Sequence, residues 1–448
     1  MADFLIRGEH VVTMNAGRDV LRDAAVAVSG SIIEAVGPFA ELRAAHPEAV
    51  VVGTSESIVT PGYVNAHQHH TGDRLVRSCI PDAIDSQEAI FGWAVPVHSA
   101  HTPDDDFLST TLSLVEAVGN GVTCSIEAGT VAHPERVAAA MEGIGVRGTV
   151  GRWGWDVADA PFAAPADEVL DRMRELVSAH PQGGLVEGWV TLVGHDLMSD
   201  ELAAGASALA RDLGTGITFH ISPHTGDAAS YLARTGRRPL VHLDALGALG
   251  PHVLLAHAVH LDDEEVDIVL RTRAAIAACP WAYLRLAQGV TAGGRYAELF
   301  RRGARFAIGC DAENAGDAVD VLRAATLFVG LGRDGEMDAF SMTAHHALEL
   351  ATIRGAEAVG MADRIGSLEV GKQADVVVHD TSGPQWITAS TDPVLQLMWA
   401  SDGRSVSDVL VAGRPVVRAG QCTTVDVLAL RVEAHARRDA LLRAAGKT

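Results

Sequence analysis

The sequence predicts an α/β protein, a (β/α)8 barrel of TIM type carrying a small composite β-sandwich built from both ends of the chain. Three observations predict it. Short apolar runs alternate with helix-period stretches through the middle of the chain; strand-like runs with tight glycine turns occupy both ends; and four histidines and an aspartate fall at the ends of the middle runs. In such barrels the C-terminal strand ends carry the chemistry.

Taken in order, residues 1 to about 58 contain Phe4-Leu5-Ile6, His10 to Met14, Ala25 to Val28 and Ser31 to Val36, punctuated by Gly30 and Gly37. Apolar and polar positions alternate over short stretches, as half-buried strands require. The C-terminal segment repeats the style in Ala374 to Asp380, Val406 to Val411 and Ala412 to Val417. The two ends, 1–58 and 366–448, are therefore expected to make one β-sandwich, with 59–365 as the barrel. Within the barrel, eight runs stand near 58–64, 122–127, 146–150, 186–193, 216–221, 252–257, 274–278 and 305–310. Ala166 to Ala179 and Ser199 to Leu213 have helical period between two pairs of them.

The run ends carry the candidate chemistry. His67 and His69 follow the first run in PGYVNAHQHH; alternate residues of a strand share a face, so both imidazoles point one way. His220 ends the fifth run, His257 the sixth and Asp311 the eighth. Neutral imidazole is the commonest metal ligand, and this set on one barrel face predicts a metal site.

Composition narrows the class. With 448 residues, 48% hydrophobic and no stretch of membrane-spanning length, the chain reads as a globular enzyme acting on a small molecule. The formal charge of -22 disfavours nucleic acid and anionic membranes as partners. Five dispersed cysteines and an N-terminus without an export pattern predict a cytoplasmic protein. The only lysines are Lys372 and Lys447, so a Schiff-base lysine or a carbamylated lysine bridging two metals is not expected in the barrel.

The strings PGYVNAHQHH, GVTCSIEAGT, VTLVGHDLMS, AHAVHLDDEE, AIAACPWAYLRL, FAIGCDAEN and ATIRGAEAVGMADRIGSLEVGKQADVVV span nearly the whole chain. With them the protein resembles the amidohydrolase superfamily, in the branch of guanine deaminase, triazine hydrolases and phenylurea or thiocarbamate hydrolases. The resemblance implies that His67, His69, His220 and Asp311 hold one divalent ion, zinc first, with Fe2+, Co2+ or Mn2+ as alternatives. It further implies Asp311 as general base, His257 as the group that polarises the substrate carbonyl or hydrogen-bonds the attacking water, and His195 as a substrate contact.

One departure decides the expected substrate. Deaminases of this branch carry His-x-x-Glu where this chain reads His220-Ile221-Ser222-Pro223-His224, and proline transfers no proton. His224 or Glu127 could take over as shuttle, and Glu127 alternatively as a second-metal ligand. Without the glutamate, hydrolysis of an amide, urea or carbamate is the expected reaction and deamination of an aminated heterocycle the alternative. Trp93, Trp155 and Trp281, in loops after strand runs, suit a planar or apolar ligand. Arg152 and Arg285 are available for a substrate carboxylate. A symmetric dimer is the expected assembly.

Overall fold

A single residue, Gly62, separates two strands that belong to different sheets, Ser57–Pro61 and Tyr63–Gln68. A side chain there would collide with Thr123, whose Oγ1 lies 2.0 Å from the position of a Cβ, so the crossing between sheets needs glycine. The run read near 58–64 is therefore two strands. The computed structural model of the protein describes residues 2–71, 73–157, 159–316 and 318–447.

The first sheet takes strands from both chain ends. Its order is Gln421–Cys422, Arg414–Arg418, Val406–Val411, Val376–Asp380, Ser57–Pro61, Phe4–Val12, Val20–Ser29 and Ile32–Pro38, with Val50–Val52 pairing parallel to Phe4–Val12. The two ends meet where Val376–Asp380 runs antiparallel to Ser57–Pro61, Val378 opposite Val59. Ile6, Val26, Val28, Val59, Val376 and Val378 form its buried cluster. Each such side chain stabilises the fold by about 1.5–3 kcal/mol on burial.

The barrel follows from the second strand of the pair. Its parallel strands are Tyr63–Gln68, Val122–Glu127, Arg147–Val150, Val186–Gly188 continued as Val190–Gly194, Ile217–Ile221, Val253–His257, Ala275–Ala278 and Arg305–Ile308. Strands buried on both faces read as unbroken apolar runs, which is why these were visible in the sequence. The fourth is interrupted at Trp189, yet the ladder holds: Trp189 N–H donates to Val150 (3.0 Å) and Val190 N–H to Gly216 (3.1 Å). The ring closes where Asp311 N–H donates to the His67 carbonyl at 2.9 Å. Helices Ala166–Ala179 and Asp200–Leu213 lie where periodicity put them, and Ser199 caps the latter by accepting from Leu202 N–H.

The last helix, Val427–Ala444, departs from the expected sandwich. It leaves the sheet and packs on Asp73–Val76 and Pro103–Gly119, burying Leu441 beside Leu75, Val76, Val97 and Leu108. The physical reason is its sequence, a run of helix formers capped by Asp426 that has no strand partner to join. A buried ion pair, Arg147 with Asp375 at 3.1 Å, ties the third barrel strand to the sheet.

Candidate metal centre and active site

His67 lies in the first barrel strand and His69 just beyond its end, with ring centroids 5.2 Å apart. The sixth strand ends at His257 and the fifth places His220 one residue before its end. Asp311 follows the eighth. Asp311 Oδ1 stands 3.4 Å from His69 Nε2 and 3.7 Å from His67 Nε2, and the Nε2 atoms of His69 and His220 are 3.2 Å apart. Four donors about 2.0–2.1 Å from one ion lie about 3.3 Å from each other, so these separations fit a single tetrahedral centre.

The hydrogen bonding points the same way. His220 Nδ1 donates to the Val193 carbonyl (2.7 Å), leaving its Nε2 lone pair towards the centre. His69 Nδ1 meets Thr130 Oγ1 at 2.7 Å, which turns the His69 Nε2 lone pair inward as well. Two lone pairs facing each other repel unless a cation lies between them. Both ring nitrogens of His67 are buried without a hydrogen-bond partner, as a ligand's would be. Burial pushes His220 well below the usual histidine value and His257 down to about 3, which keeps these imidazoles neutral. Burial alone would raise the Asp311 carboxyl, but His67, His257 and His69 hold it well below the usual carboxylate range. The donor set is three neutral imidazoles and one carboxylate, with His257 alongside, 5.3 Å from the His67 ring.

Strain concentrates here. His195, His257 and Asp311 all have positive φ, at 53°, 77° and 64°. Non-glycine residues adopt this region where surrounding structure enforces it, commonly at functional sites. His195 lines the cavity over the centre, and its Nδ1 is gripped by Asp227 at 2.9 and 3.1 Å. Asp227 also accepts from Ser222 N–H at 2.7 Å. Sequence reasoning missed Asp227; its one signal was an acidic residue in the first turn of helix Thr225–Thr235. It also missed His98 and Thr130, which line the cavity from positions with no run-end mark.

The other candidates divide. His224 begins that same helix, its Nδ1 accepting from Gly226 N–H (2.9 Å) and its Nε2 3.0 Å from the Gln87 side chain. Glu127 is buried at the end of the second strand, where Oε2 accepts from Gly129 N–H (2.6 Å), and burial pushes its carboxyl up to about 8. It does not line the cavity. Nor do the three tryptophans. Trp155 stacks on Trp153 at 4.9 Å and donates to the Pro161 carbonyl, so Trp153 is the one that faces the cavity. Trp93 has the Lys447 ammonium 4.9 Å from its ring, and Trp281 lies under the Arg323 guanidinium at 4.1 Å. Aromatics after strand ends serve loop packing as readily as ligand contact. Arg285 is turned to Asp82 (3.4 Å), and no Arg or Lys lines the cavity among the described residues. Its wall is mostly apolar and includes Ile80, Ile90, Phe91, Val95, Leu286 and Pro223.

Known proteins agree with this geometry. A model of the Amidohydrolase family matches residues 58–416, and one of an imidazolonepropionase-like composite domain of bacteria matches residues 24–49. The chain is 30% identical to a 5-methylthioadenosine/S-adenosylhomocysteine deaminase of Pelotomaculum thermopropionicum over 98% of both chains. A protein of the same name from Nitratidesulfovibrio vulgaris is 29% identical over 96% of both. Among solved structures, an adenosine deaminase from Xanthomonas campestris with bound zinc superposes with a TM-score of 0.92 at 29% identity, covering 99% of each chain. The zinc complex of atrazine chlorohydrolase from Arthrobacter aurescens shares the fold, with a TM-score of 0.88 at 23% identity over 97% of this chain and 100% of that one.

Proposed function

Since the chain belongs to the amidohydrolase family and is a hydrolase acting on carbon–nitrogen bonds, we propose that it cleaves an amide, urea or carbamate of a small, uncharged, apolar molecule. His67, His69, His220 and Asp311 would hold one divalent ion, zinc by the donor set, which when bound supplies Lewis-acid activation of a water molecule. Asp311, held ionised, takes the proton that water gives up as the new C–O bond forms. It then hands that proton to the nitrogen as the C–N bond breaks, so one carboxylate serves as base and then as acid. His257 orients the carbonyl, and His195, steered by Asp227, contacts the substrate. The barrel, 59–365, carries this chemistry and the segments 1–58 and 366–448 brace it. A cytoplasmic symmetric dimer completes the reading.

One observation carries the choice of substrate. Pro223 lines the cavity three residues after His220, and among the described lining residues Asp311 is the only carboxylate. Protonating a ring nitrogen while expelling ammonia asks for a second acid; releasing an amine from an acyclic carbonyl does not. Deamination of an aminated heterocycle is the second reading, favoured by the names of the relatives with 29–30% identity.

Metal analysis coupled to product release tests both. About one zinc per chain, with amine released from aryl amides, ureas or carbamates and no ammonia from adenosine, 5-methylthioadenosine or guanine, is the expected outcome. Ammonia from a ring amine with no cleavage of the acyclic series would overturn it in favour of the deaminase.

A further inference from the structure

Between the first barrel strand and helix Pro103–Gly119 the chain makes a long excursion that includes a π-helical turn, Glu88–Ala94, and a short helix, Val95–Ser99. π-Helical turns are rare and cluster at functional sites. Ile90, Phe91 and Val95 from this excursion form part of the cavity wall. Its trailing side is fixed, because Val97 packs with Leu441 of the C-terminal helix. On its leading side, Gln87 meets His224.

The proton on that contact can be assigned. His224 Nδ1 accepts from Gly226 N–H, so in the neutral ring Nε2 carries the hydrogen and donates to the oxygen of the Gln87 amide. The transferable proton of His224 is committed to the excursion, and it is Pro223, not His224, that lines the cavity.

We propose that His224 is a positioning residue which, through Gln87, holds residues 87–95 over the cavity so that Ile90, Phe91 and Val95 select an uncharged, apolar substituent on the substrate. The inference rests on the hydrolase reading above and names the part of the substrate remote from the scissile bond. With no Arg or Lys among the described lining residues, a carboxylate or phosphate there would lose its hydration without a counter-charge. An alkyl or aryl group gains by burial, about fourfold in kcat/KM for each methylene enclosed.

The test uses the metal-replete enzyme and a series of aryl carbamates with methyl to butyl substituents, alongside a carboxylate-bearing member. H224N keeps an N-cap acceptor for Gly226 N–H but is too short for Gln87; Q87A removes the partner. Each variant should raise KM for the butyl member about fivefold, the worth of one net hydrogen bond, with a smaller effect on the methyl member. The double variant should be no worse than either single one, and the pH–rate profile should keep its shape. A uniform fall in kcat with an altered pH profile in H224N alone would overturn the proposal and make His224 a proton carrier. Hydrogen exchange over residues 88–95 reads the same contact with no substrate present. Faster exchange in both variants is expected, and unchanged exchange overturns the proposal even if no member of the series is cleaved, an outcome that would refute the hydrolase reading instead.

Discussion

Replacing Glu127 by glutamine asks whether a carboxyl group can sit uncharged within the barrel at neutral pH. Its burial pushes the group up to about 8, against an ordinary glutamate value of 4.5 in the unfolded chain. Between those values the unfolded state ionises and the native state does not, so the native protein binds more protons and stability falls as pH rises. From pH 5.5 to 8.5 the loss due to this residue alone is about 3 kcal/mol, at 1.36 kcal/mol per unit of pKa difference. Glu127→Gln keeps the shape and an oxygen for Gly129 N–H while abolishing the titration. Urea unfolding followed by tryptophan fluorescence at pH 5.5, 7.0 and 8.5 should show the variant gaining on the parent by that amount as pH rises. Parallel stability curves would refute the reasoning, because they would mean that Glu127 is ionised throughout, stabilised by a charge near it.

Three further outcomes follow from the site and the frame. Asp311→Asn should lower kcat by at least about 1,000-fold in a single-turnover assay while metal is partly retained, since base and acid are one group; a near-normal rate removes Asp311 from that role. The double substitution His67→Ala with His69→Ala should bring metal content close to zero by elemental analysis, and an unchanged stoichiometry would reassign the ligands. Asp375→Asn strands the Arg147 guanidinium, which is buried along with its partner, and should cost about 3–5 kcal/mol of stability. A melting temperature equal to the parent's would show that this pair does not couple barrel and sheet.

What could be read from the chain alone followed a physical rule in each case. Strands buried on both faces leave apolar runs, and residues at their C-terminal ends share one rim, so His67, His69, His220, His257 and Asp311 were found by position before any distance was known. Asp227 and Gln87 act through partners 32 and 137 residues away, and no local pattern marks such a pairing. Trp93, Trp155 and Trp281 show the opposite failure. An aromatic residue after a strand end reads alike whether it faces a ligand, a stacked neighbour or an arginine. The crossing at Gly62 escaped because Ile58 to Val64 is continuous in hydropathy, and only the close approach of Thr123 reveals where one sheet stops.

The meeting of the two chain ends has a consequence for how the protein is made. Ser57–Pro61 lies one residue before the strand that bears His67, and its neighbour on one side, Val376–Asp380, emerges from the ribosome more than 300 residues later. Until then the first barrel strand hangs from a sheet with an open edge, and Arg147 waits for Asp375. Such distant pairing makes folding slow and leaves an aggregation-prone edge exposed during synthesis. Completion of the metal centre is thereby tied to the end of translation, and a truncated chain that retains every ligand should yield insoluble or metal-poor protein.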